Sequence, residues 1–295
     1  MKKEKINLLV TGSRGQLGSE LRDISTSWPD FIFHFVDVED LDLTKRDAVA
    51  GFFKTHPIDA VVNCAAYTAV DLAEDQQDLA YLVNAEAVKT LAELCSERKI
   101  RMIHISTDYV FDGESNQPID ENERPNPVSI YGESKLKGEE YLTSILPDAY
   151  IIRTAWVYSV HGKNFVKTIA NLARQRDELS VVSDQIGTPT YAYDLAGAIM
   201  KMLNAIFNAN KDVPGIYHYT NEGVISWYDF AHFIIRHYDL QCKLKPIRTS
   251  EYKTKATRPK FSLLSKRKIA ETFGITPPHW HDSLTKCLEK LDKQG

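Results

Sequence analysis

The chain has 295 residues, 43% of them hydrophobic, which is enough for one large domain or two unequal domains around a sizeable core. Its formal net charge of −4 gives no reason to expect a nucleic-acid partner, and no apolar stretch has the length of a signal peptide or a membrane span, so we expect a cytoplasmic protein without a membrane partner. The four cysteines are far apart and form no C-x-x-C pair, which argues against a disulfide framework or a zinc site.

The first half of the chain alternates short apolar runs with helical patterns. Strands are predicted at 6–10, 31–36, 60–63, 101–106 and 150–154. Helices are predicted from about 16, from about 44, over 72–98 and over 127–143. Strands that are almost continuously apolar are buried on both faces, so this alternation predicts a parallel sheet covered by helices on both sides. The expected fold class is therefore α/β, a doubly wound parallel sheet of the Rossmann type, which binds ligands at the carboxyl ends of its strands.

The second half has a looser pattern. Helices are predicted at 164–174, 193–204 and 226–238, with short apolar segments at 179–182 and 215–219. We predict a dinucleotide-binding domain over 1–157. Residues 158–295 are expected to form mainly a smaller irregular substrate domain, with part of 185–215 packing back on the first domain.

A glycine-rich turn follows the first predicted strand directly. Gly12, Gly15 and Gly18 have the spacing G-x-x-G-x-x-G between a strand and a helix. Gly12 suits a tight turn, Gly15 lets the main chain approach a pyrophosphate, and Gly18 lets the helix pack closely on the sheet. Phosphates would then lie at a helix N-terminus, where free amide groups and the helix dipole favour anions. The turn predicts a dinucleotide site.

The residues near the second predicted strand give opposite indications about the cofactor. Asp37 ends that strand, and a carboxylate there usually bonds the adenosine ribose, which favours NAD. Arg14 lies in the glycine turn, where a guanidinium could hold the 2′-phosphate of NADP. We expect both NADPH and NADH to be used, with NADPH slightly favoured.

Tyr131 and Lys135 form a Y-x-x-x-K pair on the helix predicted after the fourth strand. Residues four apart on a helix share a face, so the two side chains are expected to be neighbours. A lysine ammonium beside the phenol would lower the pKa of the tyrosine and make it a competent general acid near neutral pH.

A ketone that receives a hydride develops negative charge on its oxygen, which a second hydrogen-bond donor would stabilise. The carboxyl end of the fourth strand offers two hydroxyls, Ser106 and Thr107. Strand alternation places them on opposite faces of the sheet, so one of the two is expected to face the carbonyl.

Several segments then resemble a known family, the extended short-chain dehydrogenases/reductases, and more closely its dTDP-4-dehydrorhamnose reductase branch. The similarity extends over nearly the whole chain. The matching segments are N-C-A-A-Y-T-A-V-D at 63–71, S-T-D-Y-V-F-D-G at 106–113, Y-G-x-x-K at 131–135, R-T-A-W-V-Y at 153–158, D-Q-I-G-T-P-T at 184–190 and R-P at 258–259.

That resemblance implies roles for individual residues. It implies that Thr107 is the catalytic hydroxyl beside Tyr131 and Lys135. It further implies a set of residues that line the cofactor: Gly12, Gln16, Leu17, Asp42, Leu43, Ala65, Ala66 and Tyr67. Residues expected to contact the sugar nucleotide substrate are Asp108, Tyr109, Trp156 and, through its diphosphate, Arg258.

The implied reaction is hydride transfer to C4 of a 4-keto sugar nucleotide, dTDP-4-dehydro-L-rhamnose, for surface polysaccharide synthesis. Two alternatives remain open. One is a nucleotide-sugar epimerase or dehydratase that holds NAD tightly, although Asp108 is followed by Tyr109 and not by a second carboxylate. The other is a regulatory subunit that binds a dinucleotide without turnover.

The resemblance also raises the question of a metal. Some members bind magnesium through glutamates where two subunits meet, and Glu20 matches one such position. Tyr193 and His281 stand where the other glutamates would be expected. Because magnesium prefers an octahedral shell of oxygen ligands, we expect no structural magnesium. The oligomeric state is left open.

Overall fold

The structure is a computed structural model that describes residues 5–293. Its twelve strands are β1 (Ile6–Thr11), β2 (Phe31–Phe35), β3 (Ala60–Asn63), β4 (Arg101–Thr107), β5 (Tyr150–Thr154), β6 (Val157–Tyr158), β7 (Glu178–Val182), β8 (Ile186–Gly187), β9 (Thr190–Tyr191), β10 (Gly215–His218), β11 (Ile225–Ser226) and β12 (Lys243–Ile247). Six of these strands form the central sheet, in the order β10-β5-β4-β3-β1-β2.

The α-helices are α1 (Gln16–Ile24), α2 (Arg46–Thr55), α3 (Val70–Ala73), α4 (Gln77–Tyr81), α5 (Ala87–Arg98), α6 (Ile130–Ile145), α7 (Phe165–Ala173), α8 (Ala192–Asn208), α9 (Trp227–His237), α10 (Arg267–Phe273) and α11 (Trp280–Asp292). A π-helical segment, Leu82–Glu86, joins α4 to α5, and a short 3-10 helix, Asp108–Val110, follows β4. Within the described residues, no helix combines the length and the apolar character needed to cross a membrane.

All neighbouring strands of the central sheet are parallel. One face is covered mainly by α1 and α8 and the other by α2, α5 and α6, so the strands are buried from both sides. The predicted α/β doubly wound fold is confirmed. The strand order reverses between β1 and β3, and such a reversal leaves a crevice at the carboxyl ends of the strands.

The second half contributes to the central sheet and also forms a core of its own. Strand β10 pairs with β5, and α8 packs on α1, so this stretch completes the sheet begun by the first half. A separate core lies between α7, α9 and α11 and three two-stranded sheets, which pair β11 with β8, β12 with β7 and β6 with β9. The domain division at 157 stays a prediction. Helices α10 and α11 were not predicted from the sequence, and the 215–219 segment was not assigned to the sheet.

The prediction of one helix over 72–98 is wrong, because the segment divides into α3, α4, the π-helical segment and α5. Buried Asn84 lies in the π-helical segment. Its amide group accepts a hydrogen bond from Tyr67 N–H and donates to Tyr67 O and to the Ser134 hydroxyl. The carbonyl of Asn84 also packs against Gly138 of α6. An extra main-chain residue in one turn accompanies these contacts, and such bulges are common where a side chain has a special task.

Candidate active site

A cavity of about 780 Å³ opens at the carboxyl ends of β1, β3 and β4, where the strand order reverses. Most of the residues predicted for the site line this cavity. They are Gly12, Gly15, Gln16, Leu17, Asp37, Asp42, Leu43, Ala65, Ala66, Thr107, Asp108, Tyr109, Tyr131, Lys135 and Trp156. A cavity of this size is within the range of cofactor and ligand sites.

Four predicted residues are not part of the cavity wall: Arg14, Gly18, Tyr67 and Arg258. Gly18 lies beneath the turn, where an added Cβ would be 2.4 Å from the carbonyl oxygen of Gly12. Tyr67 packs against the small apolar cluster that contains Tyr131, and its main-chain N–H donates to Asn84. The positions of Arg14 and Arg258 are described below.

The glycine turn has the form that a diphosphate requires. Gly12 has a φ of 61°, and a Cβ at this position would be 2.7 Å from the backbone nitrogen of Ala65. Only glycine therefore lets the turn lie against the segment after β3. Helix α1 begins after Gly15 and has no side-chain cap within the described residues, so its first amide groups are available to an anion. This turn fits a dinucleotide diphosphate.

Acidic side chains and one arginine surround the far end of the cavity, beyond β2. Asp37 accepts a hydrogen bond from the main-chain N–H of Arg14 at 2.8 Å. The Arg14 guanidinium is exposed and pairs with Glu39 at 2.7 Å and with Asp40 at 3.4 Å. Asp42 accepts from the Thr44 hydroxyl at 2.6 Å, and this bond lowers the pKa of Asp42. A guanidinium and several carboxylates thus share the edge where the adenosine ribose of a dinucleotide would lie.

Tyr131 lies in the first turn of α6, where Ser129 caps the helix by accepting from Gly132 N–H at 3.2 Å. The phenol is buried, and its ring meets that of Tyr109 edge-on at 5.4 Å between centroids. Burial raises the pKa of Tyr131 to about 12, and a hydrogen bond with Thr107 opposes that rise.

The expectation that Lys135 lowers the pKa of Tyr131 is wrong. The ammonium nitrogen of Lys135 is bonded elsewhere, to the carbonyl oxygen of Ile105 at 2.7 Å, and burial dominates the phenol. The phenol therefore keeps its proton throughout the neutral pH range.

Both hydroxyls at the end of β4 border the cavity with Tyr131, and the Thr107 hydroxyl interacts with the phenol and opposes the rise in its pKa. The Thr107 hydroxyl donates to Asp108 at 3.0 Å and accepts from Tyr109 N–H at 3.2 Å. Ser106 also borders the cavity, but its hydroxyl is buried and bonds to no group in residues 5–293. The geometry favours Thr107 as the partner of Tyr131.

Asp108 is almost fully buried behind Thr107. Its Oδ1 accepts from the Thr107 hydroxyl, whereas its Oδ2 has no hydrogen-bond partner among the residues that the structure describes. Burial raises the pKa of this carboxyl from 3.8 to about 6. A carboxyl group with a pKa of about 6 therefore lies next in the chain to Thr107.

Lys135 is buried below Tyr131 and also approaches the imidazole of His104, with 3.3 Å between Nζ and Nε2. Burial lowers the pKa of Lys135 to about 8, and the nearby Glu139 carboxylate opposes this shift. The amine can therefore exist in either protonation state near neutral pH.

The second half of the chain closes the cavity from the opposite side. Trp156 has a φ of 49° and stacks on Trp227, with 3.8 Å between ring centroids. The loop 162–164 also borders the cavity, and the side-chain amide of Asn164 donates to Gln16 at 3.0 Å. This loop was not predicted as part of the site, because the capping position of Asn164 at α7 was the one signal for it in the sequence.

Arg258 is bound by Asp71, with both guanidinium nitrogens within 3.1 Å of the carboxylate. This pair lowers the pKa of Asp71. Of the four residues expected to contact the substrate, Arg258 alone is absent from the wall of the cavity. Its expected bond to a substrate diphosphate would require exchange with Asp71.

A second group of polar side chains lies outside the cavity. Glu20, Asp23 and His161 each offer a ligand atom, and these atoms lie within 4.8 Å of one another. Glu20 is buried and accepts from Ser159 at 2.6 Å, and burial raises its pKa although the ammonium of Lys290 opposes this. Two carboxylates and one imidazole do not supply the oxygen shell that magnesium prefers.

Comparison with known proteins identifies relatives along the full chain. The family model described as the RmlD substrate binding domain matches residues 6–293. The spore coat polysaccharide biosynthesis protein SpsK of Bacillus subtilis is 41% identical over 96% of this chain and 97% of its own length. A solved dTDP-4-dehydrorhamnose reductase from Clostridium acetobutylicum is 42% identical with a TM-score of 0.91, covering 97% of this chain and all of that one. The same enzyme from Bacillus anthracis, solved in complex with NADP, is 34% identical with a TM-score of 0.92 and covers 97% of this chain and 99% of that one.

Proposed function

Because this chain belongs to the dTDP-4-dehydrorhamnose reductase family, we infer that it reduces the C4 ketone of dTDP-4-dehydro-L-rhamnose to dTDP-L-rhamnose. It is an NAD(P)H-dependent oxidoreductase, and its product serves polysaccharide synthesis. The observation that best supports this activity is the hydroxyl pair of Thr107 and Tyr131 at the cavity wall, above Lys135 and beside the glycine turn.

We propose that the glycine turn holds the diphosphate of the cofactor through main-chain amide groups, with Gly12, Gly15, Gln16 and Leu17 closest to it. Leu43, Ala65 and Ala66 line the rest of the dinucleotide groove. When bound, NADPH supplies the hydride that reduces the ketone.

The protein itself contributes a proton donor and a second hydrogen bond to the ketone oxygen. Tyr131 donates its phenolic proton to the oxygen that becomes the product hydroxyl, and the raised pKa keeps that proton in place before reaction. Thr107 offers a second hydrogen bond to the same oxygen and so orients the carbonyl. Lys135, next to Tyr131 along the helix face, holds the nicotinamide ribose.

For the substrate, we propose that Asp108 and Tyr109 border the sugar on the strand side and Trp156 on the side of the second half. Stacking on Trp227 fixes the indole of Trp156 against which the sugar ring would rest. Arg258 would pair with the diphosphate in a bidentate manner after release from Asp71. Exchange of one anionic partner for another costs less than exposing an unpaired buried charge.

We propose that NADPH is preferred over NADH, because the exposed guanidinium of Arg14 lies at the edge expected for the 2′-phosphate. We also propose that no magnesium is needed. The position of the protein in the cytoplasm stays a prediction.

The decisive experiment follows NADPH and NADH absorbance after addition of dTDP-4-dehydro-L-rhamnose, with Tyr131→Phe beside the unchanged protein. We expect NADPH oxidation, and a fall in kcat of about 10²–10⁴-fold in the variant because the proton donor is lost. Binding of NADPH to Tyr131→Phe, measured by calorimetry, should stay close to that of the unchanged protein.

Two results would support the alternatives instead. Tightly bound NAD in the purified protein, together with no net oxidation of added cofactor, would indicate an epimerase or dehydratase. Dinucleotide binding with no turnover of any kind would indicate a regulatory subunit.

A further inference from the structure

A chain of buried polar side chains crosses the sheet beneath the cavity. Thr11, Asn63 and His104 are register partners on β1, β3 and β4, and each is at most 1% exposed. The Thr11 hydroxyl donates to Asn63 Oδ1 at 2.7 Å, and Asn63 Nδ2 lies 3.0 Å from His104 Nδ1. On the other side of the imidazole ring, Nε2 lies 3.3 Å from Nζ of Lys135.

The main chain decides the orientation of the Asn63 amide. The N–H of Ala65 points at Asn63 Oδ1 from 3.2 Å, and a main-chain N–H can only donate. The oxygen of Asn63 must therefore face Ala65 and Thr11, which leaves the Nδ2 group to face His104. A reversed amide would place two donors against each other at Ala65.

The tautomer of His104 follows from this orientation. Because Asn63 Nδ2 donates, Nδ1 of the ring must accept, and the single proton of a neutral imidazole is then on Nε2. This Nε2–H points at Nζ of Lys135, so the lysine must accept at that contact. The same Nζ donates to the carbonyl oxygen of Ile105 at 2.7 Å, and a neutral amine can also make this bond.

We propose that His104 is a positioning residue that donates from Nε2 to Nζ of Lys135 and thereby favours the neutral amine over the ammonium. The inference rests on the proposed catalytic role of Lys135. Asn63 acts through His104, because its Nδ2 group holds the ring in the donating tautomer.

The charged and titratable groups around Lys135 are consistent with this assignment. Glu139, one turn along α6, favours the ammonium but is itself bound by Arg153 in a buried pair with a shortest separation of 2.6 Å. Cys64 is a half-buried thiol whose pKa is raised by desolvation, so it contributes no charge near neutral pH. Tyr131 likewise stays protonated.

Burial lowers the pKa of both Lys135 and His104. It lowers the pKa of Lys135 to about 8 and that of His104 well below its ordinary value. A neutral imidazole beside an amine that loses its proton readily is the state that the hydrogen bonds require.

The first test reads the tautomer directly. Long-range ¹⁵N–¹H NMR of the full chain with labelled histidine distinguishes a protonated Nε2 from a protonated Nδ1, and His104→Gln identifies the His104 signals by their disappearance. We expect the proton of His104 on Nε2 at about pH 9, above the pKa of Lys135, where the amine is neutral. A proton on Nδ1, or on both nitrogens, would overturn the proposal.

The second test titrates Lys135 by NMR of its side chain in the unchanged protein, in His104→Gln and in Thr11→Val. A glutamine carbonyl oxygen can accept from Nζ and from Asn63 together, so we expect His104→Gln to raise the proton affinity of Lys135 by about tenfold. Thr11→Val is the matched control. Ala65 still orients Asn63 in this variant, so the titration should move by less than about twofold. If the titration of Lys135 is unchanged in His104→Gln, the proposal is wrong and His104 serves only in packing.

Catalytic measurements separate this inference from the proposed function. If the reductase activity exists, the limb of the pH–kcat profile that reports Lys135 should move to higher pH in His104→Gln, in step with the NMR titration. If no substrate is reduced while the NMR results are as expected, the proposed function fails and the role of His104 toward Lys135 remains.

Discussion

Asp108 carries a carboxyl group whose two oxygens are both buried, and this gives a prediction about stability and pH. Its folded-state pKa is about 6, above the ordinary value of 3.8. Between these two values the unfolded chain releases the proton first, so the unfolded state gains stability as pH rises. Above a pH of about 6, the titration of Asp108 therefore lowers the free energy of unfolding by about 3 kcal/mol. Below a pH of about 4 this loss is absent.

Asp108→Asn removes this titration. We expect the free energy of unfolding of the variant, relative to the unchanged protein, to rise by about 2 kcal/mol between pH 4.5 and pH 7.5. Urea denaturation at the two pH values measures the difference. If the difference between the two proteins stays constant with pH, Asp108 does not titrate as its burial requires.

Arg14 gives a prediction about cofactor choice. Its guanidinium is 58% exposed, and the partners that it has among residues 5–293 are surface carboxylates, so a phosphate could replace them at little cost. We expect Arg14→Gln to raise the KM for NADPH about tenfold and to leave the KM for NADH within about twofold. Arg14→Lys serves as the control that keeps the charge without the bidentate geometry. Equal changes for the two cofactors would place the 2′-phosphate elsewhere.

At the scale of elements, the turn between β1 and α1 depends on Gly12. Alanine there would need a left-handed conformation and would place its Cβ against the backbone of Ala65. We expect Gly12→Ala to destabilise the protein by about 1–2 kcal/mol from backbone conformation alone. The shift of the turn should also weaken NADPH binding more than about tenfold. Thermal denaturation and calorimetry measure the two effects.

Gly51 provides the matched control, because it lies inside α2 and, apart from its chain neighbours and the backbone of its own helix, no described atom comes within 4 Å of an added Cβ. Gly51→Ala should stabilise the protein by about 0.5–1 kcal/mol, since alanine loses less entropy than glycine in a helix. A similar loss of NADPH binding in both variants would mean that the turn has no special role.

At the scale of the whole molecule, the group of Glu20, Asp23 and His161 tests whether a metal belongs to this protein. It lies where α1 meets the segment before α7, and Lys290 of α11 supplies a positive charge to Glu20. We expect chelation with EDTA to leave activity and melting temperature unchanged, because an ammonium already opposes the negative charge of Glu20. Elemental analysis that finds stoichiometric magnesium or zinc, lost in Glu20→Gln, would contradict this.

Local patterns in the sequence predicted the five strands of the first half, the glycine turn and the Y-x-x-x-K helix. Each depends on residues close together in the chain, such as the glycines after β1 or the four-residue spacing of Tyr131 and Lys135. The pattern identified the family for the same reason, since its signatures are short continuous segments. The doubly wound fold then followed from general rules on parallel strands.

Tertiary structure alone decided the remaining features. Strand β10 joins the central sheet because it pairs with β5. The π-helical segment around Asn84 accompanies contacts with Tyr67 and Ser134. Burial reversed the expected shift of the Tyr131 pKa, since desolvation depends on every element packed around the phenol. The donor chain from Thr11 to Lys135 joins four elements distant in the sequence. The spacing of residues along the sequence does not predict such a contact, because the atoms come together only when the sheet and α6 have assembled.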